Sequence, residues 1–305
     1  MAERIVALLG GDQRELLIVP ALKSAGYTVR CFGLPEGALP EGVEACGSAR
    51  EAAAGAGALL LPLPGIREDG RLYAPYGGSP VMRAEDLAGL AAGTPVLVGV
   101  ASAYLKEICG GLGLPVWEIA ELDAVARPNA IPTAEGAIQL AMEELPLTID
   151  GLRALVLGFG RVGEALSLRL RALGAEVTVS NRGKERFARA AKQGFGLYPW
   201  GDMAECFGRM DVIFNTVPAQ VLDKARLLAL PKEVLVIDLA SGAGGVDYEL
   251  AAELGIRAIH ALSLPGKVAP VSAGRLLAAV YPKLLGDIFN MKKRDFNSKG
   301  KRVIL

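Results

Sequence analysis

Two segments of the chain show the same succession of apolar and polar positions. Each has an apolar run, a glycine-rich turn, a helical stretch and a second apolar run. In the first segment these parts lie at 4–9, 10–12, 14–24 and 27–32. In the second they lie at 153–157, 158–163, 164–172 and 176–180. A strand–helix–strand crossover of about 30 residues joins parallel strands. The repeat therefore predicts two α/β domains.

Further apolar runs extend both predicted sheets. They lie at 58–61 and 95–100 in the first part of the chain, and at 211–215, 234–238 and 257–260 in the second. The Gly- and Pro-rich stretch 62–80 is predicted to be a loop. Each of the three later runs is followed by turn residues, which is typical of strands in an α/β sheet.

Two helical stretches lie outside these repeats. The first is predicted to begin near residue 129, with Thr133 as its N-cap, and to end at about Glu144, before Pro146. The stretch 271–289 predicts one or two helices, interrupted at Pro282. The polar and basic residues at the end of the chain are predicted to form a solvated terminus.

Together these elements predict an α/β protein with two Rossmann-like doubly wound parallel-sheet domains. We expect a connecting helix between the domains and a C-terminal helix that packs back on the first domain. We predict the first domain at 1–130, the connecting helix at 131–147 and the second domain at 148–265. A C-terminal helical segment at 266–290 and a basic tail at 291–305 follow.

Composition excludes several classes of function. The 33 Lys and Arg residues balance the 33 Asp and Glu residues, so a nucleic-acid partner is not expected. The cysteines are scattered and His260 is the single histidine, so neither a metal site nor a disulfide framework is expected. No apolar stretch approaches the ~18 residues that span a bilayer, and the first residues lack a signal-peptide pattern. We therefore expect a cytoplasmic protein.

The second glycine-rich turn has the G-x-G-x-x-G spacing of a dinucleotide-binding fingerprint, and it follows a predicted strand and opens a predicted helix. Its residues are Gly158, Phe159, Gly160, Arg161, Val162 and Gly163. Gly158 permits the tight turn, Gly160 lets backbone N–H groups approach a pyrophosphate, and Gly163 lets helix and strand pack closely. The turn predicts a dinucleotide site at the helix N-terminus; a glycine-rich turn without a ligand is the alternative.

The end of the second strand indicates which nucleotide binds. NAD-binding domains usually carry an acidic residue there for the ribose 2′-hydroxyl, but this chain has Ser180, Asn181 and Arg182. Arg182 is suited to a 2′-phosphate, and Lys184 and Arg186 add positive charge nearby. The sequence therefore favours NADP, with NAD as the alternative; these cations could also merely coat a helix start.

Two later loops follow strand ends where the nicotinamide end of the cofactor is expected. The loop 215–218, with Thr216, Val217 and Pro218, ends the first of these strands, and the glycine-rich loop 238–245, with Asp238 and Ser241, ends the second. We expect both loops to contact the cofactor, although either could serve only as a strand-to-helix connection.

Five sequence blocks together resemble the family of the dipicolinate synthase A subunit. They lie at 10–14, 129–136, 158–161, 237–241 and 264–270. The resemblance extends from about residue 3 to about residue 285. The sequence departs from the expected pattern at Ser263, where we expect a glycine.

The resemblance implies oxidation of dihydrodipicolinate to dipicolinate with a nicotinamide nucleotide, in the mother-cell cytoplasm of a spore-forming organism during sporulation. It also implies a second, flavoprotein-like partner, the dipicolinate synthase B subunit. The first domain is then the substrate domain and the second the NADP-binding domain. Homo-oligomerisation stays open.

This reaction requires neutralisation of two substrate carboxylates and removal of one proton. We expect Arg14, Lys267 and Thr133 to bind the carboxylates. His260 and Glu135 are the candidate catalytic bases, and each has a structural role as its alternative. Asp12 is a weaker candidate, and solvent water could also accept the proton.

Two other classes of function remain as alternatives. One is an NADP-dependent dehydrogenase of shikimate or 2-hydroxyacid type, although a hydroxyacid enzyme would normally pair a histidine with a carboxylate. The other is a non-catalytic nucleotide-binding subunit that organises a partner enzyme. No metal cofactor is expected in any of these cases.

Overall fold

A computed structural model describes the backbone of residues 4–294 and the side chains of residues 4–290. The chain folds into two compact units. Within the described residues, unit 1 contains residues 4–126 and 270–294, and unit 2 is Arg127–Ala269. The predicted basic tail has no described side chains, and beyond Arg294 it lies outside the described residues altogether.

Unit 1 contains a six-stranded parallel sheet with strand order β3-β2-β1-β4-β5-β6. Its strands are β1 (Ile5–Leu9), β2 (Thr28–Phe32), β3 (Glu44–Ala45), β4 (Ala58–Leu60), β5 (Val96–Val98) and β6 (Val116–Glu118). The first helices of the chain are α1 (Gln13–Ser24), α2 (Ala49–Ala53), α3 (Ala84–Leu87) and α4 (Ala103–Gly111). The order places β1 and β4 at the switch point of a doubly wound fold.

Helix α5 (Asp123–Glu144) continues from the end of unit 1 into unit 2. It begins earlier than predicted and includes Pro128 and Pro132. The predicted N-cap at Thr133 is therefore wrong, because Thr133 lies inside the helix and its hydroxyl donates to the Asn129 carbonyl at 2.8 Å. Such back-bonding to residue i−4 is a usual arrangement for a helical threonine.

Unit 2 repeats the topology with strand order β12-β11-β10-β7-β8-β9. Its strands are β7 (Arg153–Leu157), β8 (Glu176–Ser180), β9 (Gly196–Leu197), β10 (Val212–Asn215), β11 (Leu235–Asp238) and β12 (Ala258–His260). Its further helices are α6 (Arg161–Ala172), α7 (Lys184–Lys192), α8 (Lys224–Leu228), α9 (Tyr248–Glu253) and α10 (Leu264–Val268). The prediction of two Rossmann-like parallel-sheet domains is confirmed.

Both sheets are covered by apolar side chains on their two faces. In β1, Ala7 and Leu9 belong to one cluster of buried residues, while Val6 and Leu8 belong to another. In β7, alternate residues divide between two clusters in the same way. Successive strand residues point to opposite faces, so a parallel strand covered on both sides needs the near-continuous apolar run seen in the sequence.

The C-terminal stretch forms one helix, α11 (Pro270–Arg294), which continues through Pro282. It packs on α1 at very short range, since a Cβ on Gly274 would lie 2.7 Å from Leu17 Cδ1 and 2.9 Å from the Arg14 Cα. The predicted return of a C-terminal helix to the first domain is confirmed. Among the described helices, none has the length and hydrophobicity needed to cross a membrane.

Candidate functional site

The carboxyl ends of five strands in unit 2 bring one row of residues to the same edge of the sheet. The strand register aligns these residues in the order Ser180, Leu157, Asn215, Asp238 and His260. Neighbouring strands are spaced by about 4.8 Å, so the row extends over about 19 Å. Three of its five residues carry an amide, a carboxylate or an imidazole. This is the edge at which doubly wound sheets bind ligands.

The glycine fingerprint has the geometry that a phosphate-binding turn requires. Gly158 has a φ of +92°, and a Cβ there would lie 2.5 Å from Thr216 Oγ1. A Cβ on Gly163 would overlap the carbonyl oxygen of Gly158. Substitution at either glycine would therefore push the helix away from the strand or strain the turn.

The N-terminus of α6 lacks a side-chain cap. Its N-cap residue is Gly160, which provides no side-chain acceptor for the first N–H groups of the helix. The space beside Gly160 is open except for Arg186, whose Nη1 lies 3.5 Å from the position of a Cβ. A helix N-terminus without a side-chain cap, with a cation near its N-cap residue, fits the pyrophosphate of a dinucleotide.

Two polar side chains hold the fingerprint from either side. Thr216 Oγ1 donates to the Leu157 carbonyl at 2.9 Å, and Asn181 Oδ1 accepts from the Phe159 N–H at 3.1 Å. Arg189 donates to the Phe159 carbonyl at 3.0 Å and forms an ion pair with Glu164 at 2.9 Å. The Phe159 ring is fully buried and both of its backbone groups bond to protein, so its part in cofactor binding stays a prediction.

The cationic residues predicted for a 2′-phosphate surround the start of α7. Arg182 and Lys184 are exposed, and Arg186 lies next to Gly160. Ser180 is fully buried and its hydroxyl has no protein partner within the described residues, so it is not presented to a ligand at the surface. The neutral Asn181, whose amide also donates to the Gly183 carbonyl at 2.8 Å, occupies the end of β8.

A buried carboxylate fixes the loops that follow β10 and β11. Asp238 Oδ1 accepts from Asn215 Nδ2 at 2.8 Å and from the Ala240 N–H at 3.0 Å. Its Oδ2 accepts from the Gly245 N–H at 2.5 Å and from the Tyr248 hydroxyl at 2.7 Å. Both Asp238 oxygens therefore bond to protein groups, and its contact with the cofactor stays a prediction. Burial and the hydrogen bond to Asp238 raise the pKa of Tyr248.

His260 lies at the end of the row, where two contacts hold its ring. Nε2 is 3.0 Å from the Ala240 carbonyl oxygen and must donate to it, because a carbonyl only accepts. The ring stacks on Tyr248 with a centroid distance of 5.3 Å and an interplanar angle of 27°. Neutral His260 therefore carries its proton on Nε2, which leaves Nδ1 as the basic nitrogen.

The surroundings of Glu135 do not favour its predicted role as a base. It is exposed and pairs with Arg169 at 3.3 Å. Arg169 lies in the last turn of α6, about 12 Å along the helix axis from the fingerprint end of that helix. Glu135 on α5 therefore lies near the far end of α6, away from the row of strand ends.

Arg14 is likewise not available to a substrate carboxylate. Its side chain is 4% exposed and its guanidinium engages both oxygens of Asp12, from Nε to Oδ1 at 2.9 Å and from Nη2 to Oδ2 at 2.9 Å. Burial alone would raise the pKa of Asp12, but the hydrogen bonds and charge of Arg14 outweigh it and lower that pKa. Asp12, the N-cap of α1, already neutralises Arg14, so the substrate-binding role expected of Arg14 stays a prediction that this pairing does not favour.

The remaining predicted residues are exposed or half-buried in loops and short helices of unit 2. Val217 is half-buried and Pro218 is exposed after β10, and Ser241 is exposed after β11. Lys267 is exposed in α10. Ser263, the N-cap of α10, has a φ of +60°, a left-handed conformation that glycine adopts without strain. This explains why a glycine is expected at that position.

One group of candidate metal ligands lies in unit 1. The ligand atoms of Glu44, Cys46 and Glu51 lie within 4.8 Å of one another. Glu44 pairs with Arg30 at 3.0 Å, and Glu51 accepts from the Gly47 N–H at 2.8 Å. Burial raises the pKa of the Cys46 thiol. These partners account for the cluster without an ion.

Comparisons with known proteins agree with this arrangement. Residues 5–120 match the family model described as the N-terminal domain of the dipicolinate synthase A subunit, and residues 154–242 match the model described as NADP oxidoreductase, coenzyme F420-dependent. The dipicolinate synthase A subunit of Bacillus subtilis (strain 168) is 32% identical over 93% of this chain and 96% of its own length.

Two solved structures extend the match to three dimensions. The crystal structure of the dipicolinate synthase A subunit from Bacillus subtilis has a TM-score of 0.86 at 30% identity, covering 95% of this chain and 98% of that one. The crystal structure of the A subunit from Bacillus halodurans has a TM-score of 0.85 at 34% identity, covering 92% and 97%. The chain thus belongs to the family of the dipicolinate synthase A subunit, with a nicotinamide-nucleotide oxidoreductase domain in its second half.

Proposed function

We propose that this chain is an NADP-dependent oxidoreductase subunit that converts dihydrodipicolinate to dipicolinate, pyridine-2,6-dicarboxylate, during sporulation. Family membership supports the dipicolinate assignment. The single structural observation that carries the proposal is the uncapped N-terminus of α6 at Gly160, held against β7 by the close contact of Gly163 with Gly158. These residues would hold the pyrophosphate.

The choice of NADP over NAD is supported by the charges around the end of β8. Asn181 is neutral, and the cations Arg182, Lys184 and Arg186 lie in the adjacent loop and the first turn of α7. A carboxylate in the place of Asn181 would repel a 2′-phosphate, whereas a guanidinium can donate two parallel hydrogen bonds to it.

The oxidation takes one hydride and one proton from the dihydropyridine ring, and a double bond forms that makes the ring aromatic. When bound, an oxidised nicotinamide nucleotide supplies the hydride acceptor. We assign the proton to His260 Nδ1, because Nε2 is held by the Ala240 carbonyl. Lys267 is assigned to one substrate carboxylate, because it is an exposed cation in the short helix that follows β12.

The partner proposed from the family is a second, flavoprotein-like protein, the dipicolinate synthase B subunit. The experiment supplies freshly generated dihydrodipicolinate with NADP or NAD, with and without that partner, and follows reduced nucleotide and dipicolinate by absorbance. We expect equimolar formation of both products and a higher kcat/KM with NADP. Tight nucleotide binding without turnover in every combination would instead indicate a non-catalytic nucleotide-binding subunit.

A further inference from the structure

Three polar side chains converge on one glycine at the edge of unit 2. Asp238 Oδ2 and the Tyr248 hydroxyl oxygen each lie 2.6 Å from the position that a Cβ on Gly244 would take, and His260 Nε2 lies 3.2 Å from it. Gly244 itself has a φ of +81°. The turn thus adopts a conformation that favours glycine and leaves no room for a side chain between these groups.

The same residues form a closed ring of contacts. Tyr248 donates to Asp238, Asp238 accepts from the Ala240 N–H, the Ala240 carbonyl accepts from His260, and the His260 ring stacks on Tyr248. Two of the contacts, the hydrogen bond and the stack, depend on the Tyr248 side chain. Tyr248 is the first residue of α9, so a helix rather than a mobile loop supports it.

We propose that Tyr248 is a positioning residue that holds the His260 imidazole in the orientation and tautomer in which Nδ1 accepts the substrate proton. This inference rests on the proposed function only for the identity of the reaction. Tyr248 does not transfer the proton itself, because its hydroxyl proton is committed to a buried carboxylate and its pKa is raised. Its effect on catalysis passes through the position of His260.

The test uses the full chain and begins with a measurement that does not need turnover. Because the chain has one histidine, labelling with ¹⁵N- and ¹³C-histidine gives one set of imidazole NMR signals. We expect a protonated Nε2 whose hydrogen exchanges slowly enough to observe, and ring protons shifted upfield by the stacked Tyr248. A wild-type spectrum that lacks the Nε2–H signal or the upfield shift of the ring protons would overturn the proposal.

Two substitutions separate the contacts that Tyr248 makes. Tyr248→Phe removes the hydroxyl and keeps the stack, whereas Tyr248→Leu removes both. We expect the upfield shift to persist in the Phe variant and to vanish, together with the observable Nε2–H signal, in the Leu variant. Tyr198→Phe is the matched control, because it removes a hydroxyl that donates to Glu205 at 2.9 Å elsewhere in unit 2. It should leave the His260 signals unchanged.

Kinetics then connects the His260 signals to the reaction. In Tyr248→Leu, kcat should fall about tenfold with less than about a twofold change in the KM for NADP, because general-base catalysis depends on the placement of the base. The kcat of Tyr248→Phe should lie between those of this variant and the wild type.

Unchanged His260 signals or an unchanged kcat in a folded Tyr248→Leu variant would contradict the proposal. If the Leu variant fails to fold, the same two measurements on the Phe variant test the proposal. If the wild type shows both NMR signatures but no turnover, the proposed reaction fails and the positioning contact stands.

Discussion

The two units contain the same glycine turn, but the helix after it has a side-chain cap in unit 1 and none in unit 2. In unit 1 the N–H of Gly10 donates to the Phe32 carbonyl at 2.8 Å, and in unit 2 the N–H of Gly158 donates to the Ser180 carbonyl at 2.8 Å. The two glycines have φ values of +72° and +92°. Both turns lie between the first strand and first helix of a sheet with the same strand order, so their backbones alone do not separate them.

The difference begins at the residue that caps the helix. In unit 1, Asp12 accepts from the Arg14 N–H, and Glu15 accepts from the Asp12 N–H at 2.7 Å, which forms a capping box. The backbone of Tyr73 also covers the turn, because a Cβ on Gly10 would lie 2.6 Å from the Tyr73 carbonyl oxygen. In unit 2 the corresponding cap is Gly160. The two turns thus share strand order and differ in the cap, and we assign the nucleotide to the helix N-terminus without a side-chain cap.

The largest expected effect comes from opening the capped turn of unit 1. Asp12→Ala removes the cap of α1 and leaves the Arg14 guanidinium buried without its partner, so unfolding free energy should fall by about 3–5 kcal/mol. Urea denaturation measures the change. The effect on NADP affinity should be small, because the site is assigned to unit 2.

Asp12→Asn is the matched control for this variant. It keeps a side-chain acceptor for the helix N–H groups but loses the charge that faces Arg14, so its loss of stability should be smaller than that of Asp12→Ala. A tenfold or greater loss of NADP affinity in either folded variant would contradict the assignment of the nucleotide to unit 2.

The cations of unit 2 provide the second test. Arg182→Asp reverses one charge beside the proposed 2′-phosphate site and should weaken NADP binding by at least about tenfold more than NAD binding, about 1.4 kcal/mol. Isothermal titration calorimetry with both nucleotides measures the ratio. Lys192→Asp makes the same charge change in the last turn of α7 and is the control. Equal losses for both nucleotides in Arg182→Asp would refute the 2′-phosphate assignment.

The third test concerns pH. Burial, with a further contribution from the charge of Asp12, raises the pKa of the Glu15 carboxyl from 4.5 to about 7 although Arg14 lowers it. The folded chain then binds this proton more tightly than the unfolded chain does, so Glu15 makes unfolding free energy fall as pH rises from about 4.5 to about 7.

Glu15→Gln tests this sign, because glutamine can retain the capping-box hydrogen bond but does not titrate over this range. Urea denaturation at pH 5 and pH 8 should show that the wild type loses more stability between the two pH values than the variant does. An equal or greater loss in the variant would show that Glu15 is ionised in the folded chain throughout this range.

Much of the fold was predictable because it depends on local pattern. The apolar runs of β1, β7, β10 and β11 are long enough to be recognised, whereas β3 and β9 have two residues each and carry no readable periodicity. The start of α5 was misjudged because Pro128 and Pro132 normally indicate a helix boundary.

The site was predictable at its glycines and less so at its polar side chains. Spacing alone identifies Gly158, Gly160 and Gly163, because the turn itself requires them. The roles of Phe159 and Asp238 depend on partners more than twenty positions away, such as Asn181 and Asn215. Tyr248 could have been suspected only from an aromatic residue after the glycine-rich loop, and its stack on His260 is a tertiary contact.

The most direct measurement transfers the cap of unit 1 to unit 2. Gly160 has φ −85° and ψ −162°, close to the φ −119° and ψ −154° of Asp12, and its side-chain direction is open. Gly160→Asp should therefore fold with unchanged or slightly higher stability, and calorimetry should show NADP affinity reduced by about 30-fold or more, about 2 kcal/mol. Gly160→Asn, a neutral cap of the same size, should lose clearly less affinity. If folded Gly160→Asp binds NADP as tightly as the wild type, the N-terminus of α6 is not the nucleotide site.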